Sequence, residues 1–103
     1  MTITVTHDGT SIPLAPSKDP DSIIDYGFDW TDFLSVGETI STSTWILDSG
    51  LTESSNSFTD SQTAIFISGG IVGTVYTITN RITTNSAPPR TEDRSMYIRV
   101  KSK

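Results

Sequence analysis

A chain of 103 residues has the length of one domain. Its 34 Thr, Ile and Val against seven Ala and Leu exclude a helical bundle, because β-branched side chains lose rotamer freedom in helices and pack well on a pleated surface. A net charge of −5 with nine aromatics excludes a disordered chain, seven Lys and Arg are too few for a surface that tracks phosphates, and the lack of cysteine excludes disulfides, thiolate chemistry and Cys-based metal sites.

Residues 1–17 read as an N-terminal extension, a hairpin or arm. Ile3 and Val5 alternate with threonines, Asp8-Gly9 signals a turn, and Ile12 and Leu14 make a second short run before the breaker Pro16-Ser17-Lys18-Asp19-Pro20. The start lacks the basic segment and apolar run of a signal peptide, and no stretch nears the ~18 apolar residues of a membrane span. The chain is therefore expected to be a complete product, soluble and made in a cytoplasm, with no membrane partner. Deleting residues 1–17 is expected to leave a folded domain.

Residues 18–103 carry the main domain. Ile24, Tyr26, Phe28 and Trp30 alternate with Asp25, Gly27 and Asp29, which predicts a half-buried strand with the acids outward. One helical turn is expected over 31–36, capped by Asp29 or Thr31 and stopped by Gly37. Strands follow over 39–47, briefly at Leu51, and over 63–68, with 54–60 a polar loop between the last two. Gly69-Gly70 and Gly73 bracket a connection to the strand 75–83, whose inner face is Tyr76, Ile78, Asn80 and Ile82. A long loop over 85–93 holds Pro88-Pro89 in an extended form. The final strand, 95–101, turns Met96, Ile98 and Val100 inward and Tyr97, Arg99 and Lys101 outward.

Six or seven short strands with turn signals every 8–12 residues predict an all-β fold, an immunoglobulin-like sandwich of about seven antiparallel strands. Trp45 in the third main strand and Tyr76 opening the penultimate one, in the place of a tyrosine corner, fit that pattern. A small barrel of the OB type is the structural alternative.

Little in the chain suggests chemistry. The single histidine, His7, lies beside Asp8 in a predicted turn, and no G-x-S-x-G elbow supplies a strained nucleophile. Asp25 and Asp29 sit ~13 Å apart along one strand, too far to share a calcium ion or act as a glycosidase pair. Residues 69–73 lack the Gly-Lys-Ser/Thr ending of a phosphate loop and read as a turn. Trp30, Phe33 and Trp45 lie on or beside apolar faces and read as core rather than as a sugar platform. No enzyme activity, cofactor, metal or nucleic-acid partner is expected.

Charge is segregated instead: residues 1–60 carry a net −9 and residues 61–103 a net +4. Asp25 and Asp29 on one sheet, and Arg81, Arg99 and Lys101 on the other, would give two outer faces of opposite sign, suited to heterologous protein contacts. The loop residues Pro88, Pro89 and Arg90 complete the candidate partner-binding set.

One resemblance covers about residues 18–101. It is carried by Lys18-Asp19-Pro20-Asp21, Ile24-Asp25-Tyr26, Phe28-Asp29-Trp30, Gly37-Glu38-Thr39-Ile40 and Ser43-Thr44-Trp45. It continues through Ser68-Gly69-Gly70, Gly73-Thr74-Val75-Tyr76-Thr77-Ile78-Thr79-Asn80, Ile82-Thr83-Thr84 and the Asp93-Arg94-Ser95 to Arg99-Val100 ending. In order and spacing this resembles short tailed-bacteriophage fibre–tail adaptors, also described as head–tail region structural proteins. The resemblance implies an immunoglobulin-like virion component of the tail or neck, made in the bacterial host cytoplasm and present in several copies. Such a component joins other virion proteins (tail, neck or fibre) without enzyme activity or cofactor. A receptor- or carbohydrate-binding module displayed on the virion is the alternative. Among the motif residues, Asn80 is expected to satisfy backbone groups inside the sandwich.

Overall fold

The computed structural model describes residues 3–5 and 17–102. The predicted turn at Asp8-Gly9, the run of Ile12 and Leu14, and His7 lie outside the described residues. The strands are β1 (Ile3–Val5), β2 (Ile24–Asp29), β3 (Ile40–Leu47), β4 (Leu51–Phe58), β5 (Gln62–Gly69), β6 (Val75–Thr84) and β7 (Thr91–Arg99). Six of them pair antiparallel in two sheets, and there is no helix among the described residues. One sheet has the order β1-β2-β5-β4 and the other β3-β6-β7; the three-residue β1 pairs parallel with β2 at the edge of the first.

Period-two patterning explains the inner layer. Along β6 the residues Tyr76, Ile78, Asn80, Ile82 and Thr84 are all buried, and their neighbours are exposed or half-buried. From the other sheet β2 sends Tyr26 and Phe28 inward, with Trp30 following. Phe28 stacks on Trp45 of β3 at 6.0 Å and meets Trp30 edge-on at 6.3 Å, so aromatic packing joins the sheets at their centre. Ile65, Ile67, Met96, Ile98 and Val100 complete the core.

The structure corrects three boundaries. The segment read as a polar loop over 54–60 is mostly strand: β4 runs to Phe58 with only Leu51 buried. An edge strand is held by its backbone ladder, which is indifferent to side-chain polarity, so alternation need not mark it. A register shift between Glu53 and Ser55 interrupts that ladder. Second, β7 begins at Thr91 rather than 95, paired with Thr83, which shortens the preceding loop to 85–90. That loop contains a cis Ala87–Pro88 peptide, immediately before the pair read as extended. Third, residues 31–36 form turns in place of a helical turn. Asp29 accepts hydrogen bonds from the Thr31 amide at 3.0 Å and its hydroxyl at 2.6 Å, as a cap would, but only Phe33 and Leu34 bond back to the Trp30 carbonyl.

Burial pushes the Tyr26 hydroxyl up to about 12 from its ordinary 10.0. The neutral form is favoured in the fold, so this contribution is complete below 10.0 and is lost as pH climbs through about 12. Stability is expected to fall by on the order of 2–3 kcal/mol from this group between about pH 10 and 12. Melts of the native chain and Tyr26→Phe over that range check it, because the substitution should flatten the decline. Equal slopes in both proteins would assign the decline to other groups.

Candidate partner-binding site

The topology gathers three connections at one end of the molecule. There the β2–β3 connection (30–39) faces the β6–β7 loop (85–90), with the β4–β5 turn alongside. Between the first two lies an open cleft of about 560 Å³, with residues 35–38 on one wall and Asn85, Ser86, Pro88 and Arg90 on the other.

Ion pairing and backbone bonds fix both walls. Gly37 adopts φ +79°, which lets the Ser35–Glu38 turn close with the Glu38 amide donating to Ser35. The Glu38 carboxylate then accepts from the Ser35 amide at 2.9 Å, from Arg90 Nε at 2.9 Å, and from Arg90 Nη2. Arg90 also donates to the Phe33 carbonyl at 2.9 Å and lies 4.1 Å from the centre of the Phe33 ring. Across the cleft base, the Thr39 amide donates to Asn85 Oδ1 at 2.8 Å, and the Asn85 amide to the Thr39 carbonyl at 3.0 Å. The walls are braced against each other.

The Arg90 guanidinium and the Ser35 amide hold the Glu38 carboxyl well below the usual carboxylate range. A depressed acid stabilises the fold above its ordinary value of 4.5, and that contribution is lost as pH falls through the lowered one. Glu38→Gln is therefore expected to show a smaller drop in Tm than the native chain between about pH 5 and 2. A drop of equal size in both would show that the pair adds nothing to acid stability.

A second pair supports this end from beneath. Arg94, nearly buried, grips Asp32 with two bonds of 3.0 Å, donates to the Asp29 carbonyl at 3.2 Å, and lies 4.3 Å from the centre of the Trp30 ring. Hydrogen bonding from Arg94 holds the Asp32 carboxyl low.

The predicted contact residues do not converge on one place. Pro88 and Arg90 line the cleft, and Pro89 is exposed between them. Asp25, half-buried, and Asp29, exposed, lie on β2 in the other sheet. Arg81 is exposed on β6 but forms a double hydrogen bond with Asp93 at 2.8 and 3.0 Å. Arg99 and Lys101 are exposed at the far end of β7. Trp30 and Trp45 are buried and Phe33 is half-buried, occupied by Arg90, so these rings form no open platform.

Sequence reasoning passed over Glu38, Asn85 and the Arg94–Asp32 pair, whose partners stand 46 to 62 residues away along the chain. Lys18 was also passed over as anything but a lone base. It is fully buried, and its ammonium donates to the Asp19 and Gly69 carbonyls at 2.8 Å each. Its backbone bridges β7, with its amide on the Arg99 carbonyl and its carbonyl taking the Lys101 amide, both at 2.9 Å. Burial pulls this ammonium below the ordinary lysine value, partly countered by Asp19 and Asp21.

From this buried lysine to the end of β7, residues 18–99 match the family described as podophage GP4 fiber-tail adaptor protein gp77. The chain belongs to that family. No curated protein matches it. The fiber-tail adaptor family consists of structural proteins of the phage tail, and the matched stretch takes in every element of this adaptor from β2 to β7.

Proposed function

We propose that this adaptor is a non-enzymatic component of the virion, an immunoglobulin-like sandwich of residues 18–103. It links tail or neck proteins to fibres through protein–protein contacts. The observation that carries the reading is the family match over residues 18–99. Within residues 18–103 the order β2-β5-β4 over β3-β6-β7 is that of six of the seven strands of a constant-type immunoglobulin domain, which supports the finer fold assignment. So does Tyr76, whose hydroxyl accepts the Ile71 amide at 3.0 Å as a tyrosine corner does. The departure is β1, which runs parallel to its neighbour. Residues 1–17 are a separate extension in this reading, since β1 adds only three residues to one edge.

The contact set is the cleft loop with Pro88, Pro89 and Arg90, the acids Asp25 and Asp29, and the bases Arg81, Arg99 and Lys101. Within it, Asp93 already neutralises Arg81 and Glu38 already neutralises Arg90, which leaves Arg99 and Lys101 as the stronger cations for a partner. The ion pairs at the cleft also tie up the carboxylate that acid–base chemistry would require.

The test is retention by the immobilised full chain of a fibre N-terminal segment and of a tail or neck protein from the same phage. Retention of both is expected. A folded chain that holds neither, and instead binds glycans on an array, overturns the adaptor reading in favour of a carbohydrate-binding module.

A further inference from the structure

One side of the sandwich is unfinished. The four-stranded sheet ends there on β4 and the three-stranded sheet on β3, and residues 48–50 join the two. Leu51, Glu53, Asn56 and Phe58 form the inner row of β4, since they stand opposite Gly69, Ile67, Ile65 and Thr63 of β5, the last three of them buried. Only Leu51 is covered. Glu53 and Asn56 are exposed and Phe58 is 43% exposed, so no described part of the other sheet lies over the rest of the row.

Strand β3 stops short of that row and has a backbone to offer. The Asp48 amide donates to the Thr77 carbonyl, and bonded pairs alternate along an antiparallel ladder. Ile46 and Thr44 therefore bond to β6, while Ser43, Trp45 and Leu47 turn their amides and carbonyls to the open side. No backbone hydrogen bond among the described residues uses those groups. Charge is sparse here: β3 has none, and β4 has only Glu53, which accepts from Asn56 in the same row and meets no lysine or arginine among the described residues.

We propose that the β3 edge receives a terminal segment of the fibre protein as an added strand, whose inward side chains cover the exposed row of β4. The inference rests on the adaptor reading and supplies its mode of contact. The chain itself does not provide the cover: it leaves its described part at Val5 and returns at Ser17, beside β1 and the Lys18 bridge to β7, which are the opposite edges of both sheets. A second copy meeting this one edge to edge brings no cation, because β3 and β4 contain no lysine or arginine. A fibre is attached by one end, and a terminus can lie down as a strand without opening a folded domain. Glu53 and Phe58 specify its chemistry. Their partners Ile67 and Thr63 are four residues apart on β5, ~13 Å, so the segment carries a basic residue and, four positions away, an apolar one.

Overlapping short peptides from both ends of the fibre protein, with peptides of the tail protein for comparison, test this when titrated into the full chain. A fibre peptide with that spacing is expected to bind and to protect the Ser43, Trp45 and Leu47 amides from hydrogen exchange. Glu53→Lys should weaken it about tenfold, and glutamate in place of the peptide's basic residue should restore binding to that variant. The proposal is overturned if no fibre peptide binds, if tail peptides bind instead, or if the three amides stay unprotected. Affinity unchanged by Glu53→Lys overturns it too, as does protection of the same amides by self-association without peptide. Whole fibre protein retained while every peptide fails sinks this inference alone; loss of whole-protein retention sinks the adaptor reading.

Discussion

Asn80→Ala is expected to cost about 3–5 kcal/mol, lowering Tm by roughly 15–30 °C in a domain of this size. Asn80 is fully buried, and its one amide meets four partners. Oδ1 accepts from Trp30 Nε1 at 2.9 Å and from the Thr63 hydroxyl at 2.7 Å; Nδ2 donates to Ser43 Oγ at 3.0 Å and the Thr44 carbonyl at 3.1 Å. These partners come from both sheets, so the side chain is a polar link across an otherwise apolar core. Removing it leaves the Trp30 N–H and the Thr63 hydroxyl dry and unpaired, at about 1–3 kcal/mol each. Replacing both sides together is far milder, because no orphaned group then remains. Hence Thr63→Val and Trp30→Phe, each costly alone, should recover part of the loss when added to Asn80→Leu. Denaturant unfolding of the set checks this. A loss below ~1 kcal/mol for Asn80→Ala would mean that water or rearrangement satisfies the same groups.

Gly70→Ala is expected to destabilise by about 3 kcal/mol, and Gly73→Ala by about half as much. Both glycines lie in the β5–β6 connection at positive φ, +103° and +88°, where an L side chain is strained. They differ in surroundings. A methyl at Gly70 would sit 2.6 Å from Cγ2 of the fully buried Val100, whereas nothing lies within 4 Å at Gly73. The difference between the two losses therefore reports overlap chiefly with Val100, with Leu51 Cδ2 the next neighbour at 3.3 Å. In a double-mutant cycle Val100→Ala should offset part of the Gly70→Ala loss and none of the Gly73→Ala loss. Equal losses at the two glycines would count against a close approach of the chain here.

The connection so constrained belongs to the end of the molecule opposite the cleft. There Lys18 Nζ reaches the Gly69 carbonyl, Tyr76 takes the Ile71 amide, and Gly73 donates to Val100 at 2.8 Å. Ile71 and Val72 are thus held out into solvent on a fixed turn, 68% and 52% exposed. Braced loops at both ends mean that a partner docking there, as proposed for this adaptor, meets little ordering cost.

Alternation alone was enough to place the inner faces of β2 and β6 and the inward Met96, Ile98 and Val100, because a strand with one buried face must repeat every second residue. The same rule turned Asp25, Asp29, Arg81 and Arg99 outward, and composition excluded helices before any element was assigned. Tertiary structure decided what alternation cannot encode. The polar β4 exists because β5 offers it a backbone ladder, and its Ser and Asn side chains carry no signal of that neighbour. Lys18 is buried because two carbonyls, one of them at the end of β5 51 residues away, receive its ammonium. The cleft depends on Glu38 meeting Arg90 across 52 residues, a meeting fixed only once β3 and β6 pair. Hydrophobic period is a local property of the chain, whereas the pairing of isolated polar groups is settled by which strands become neighbours.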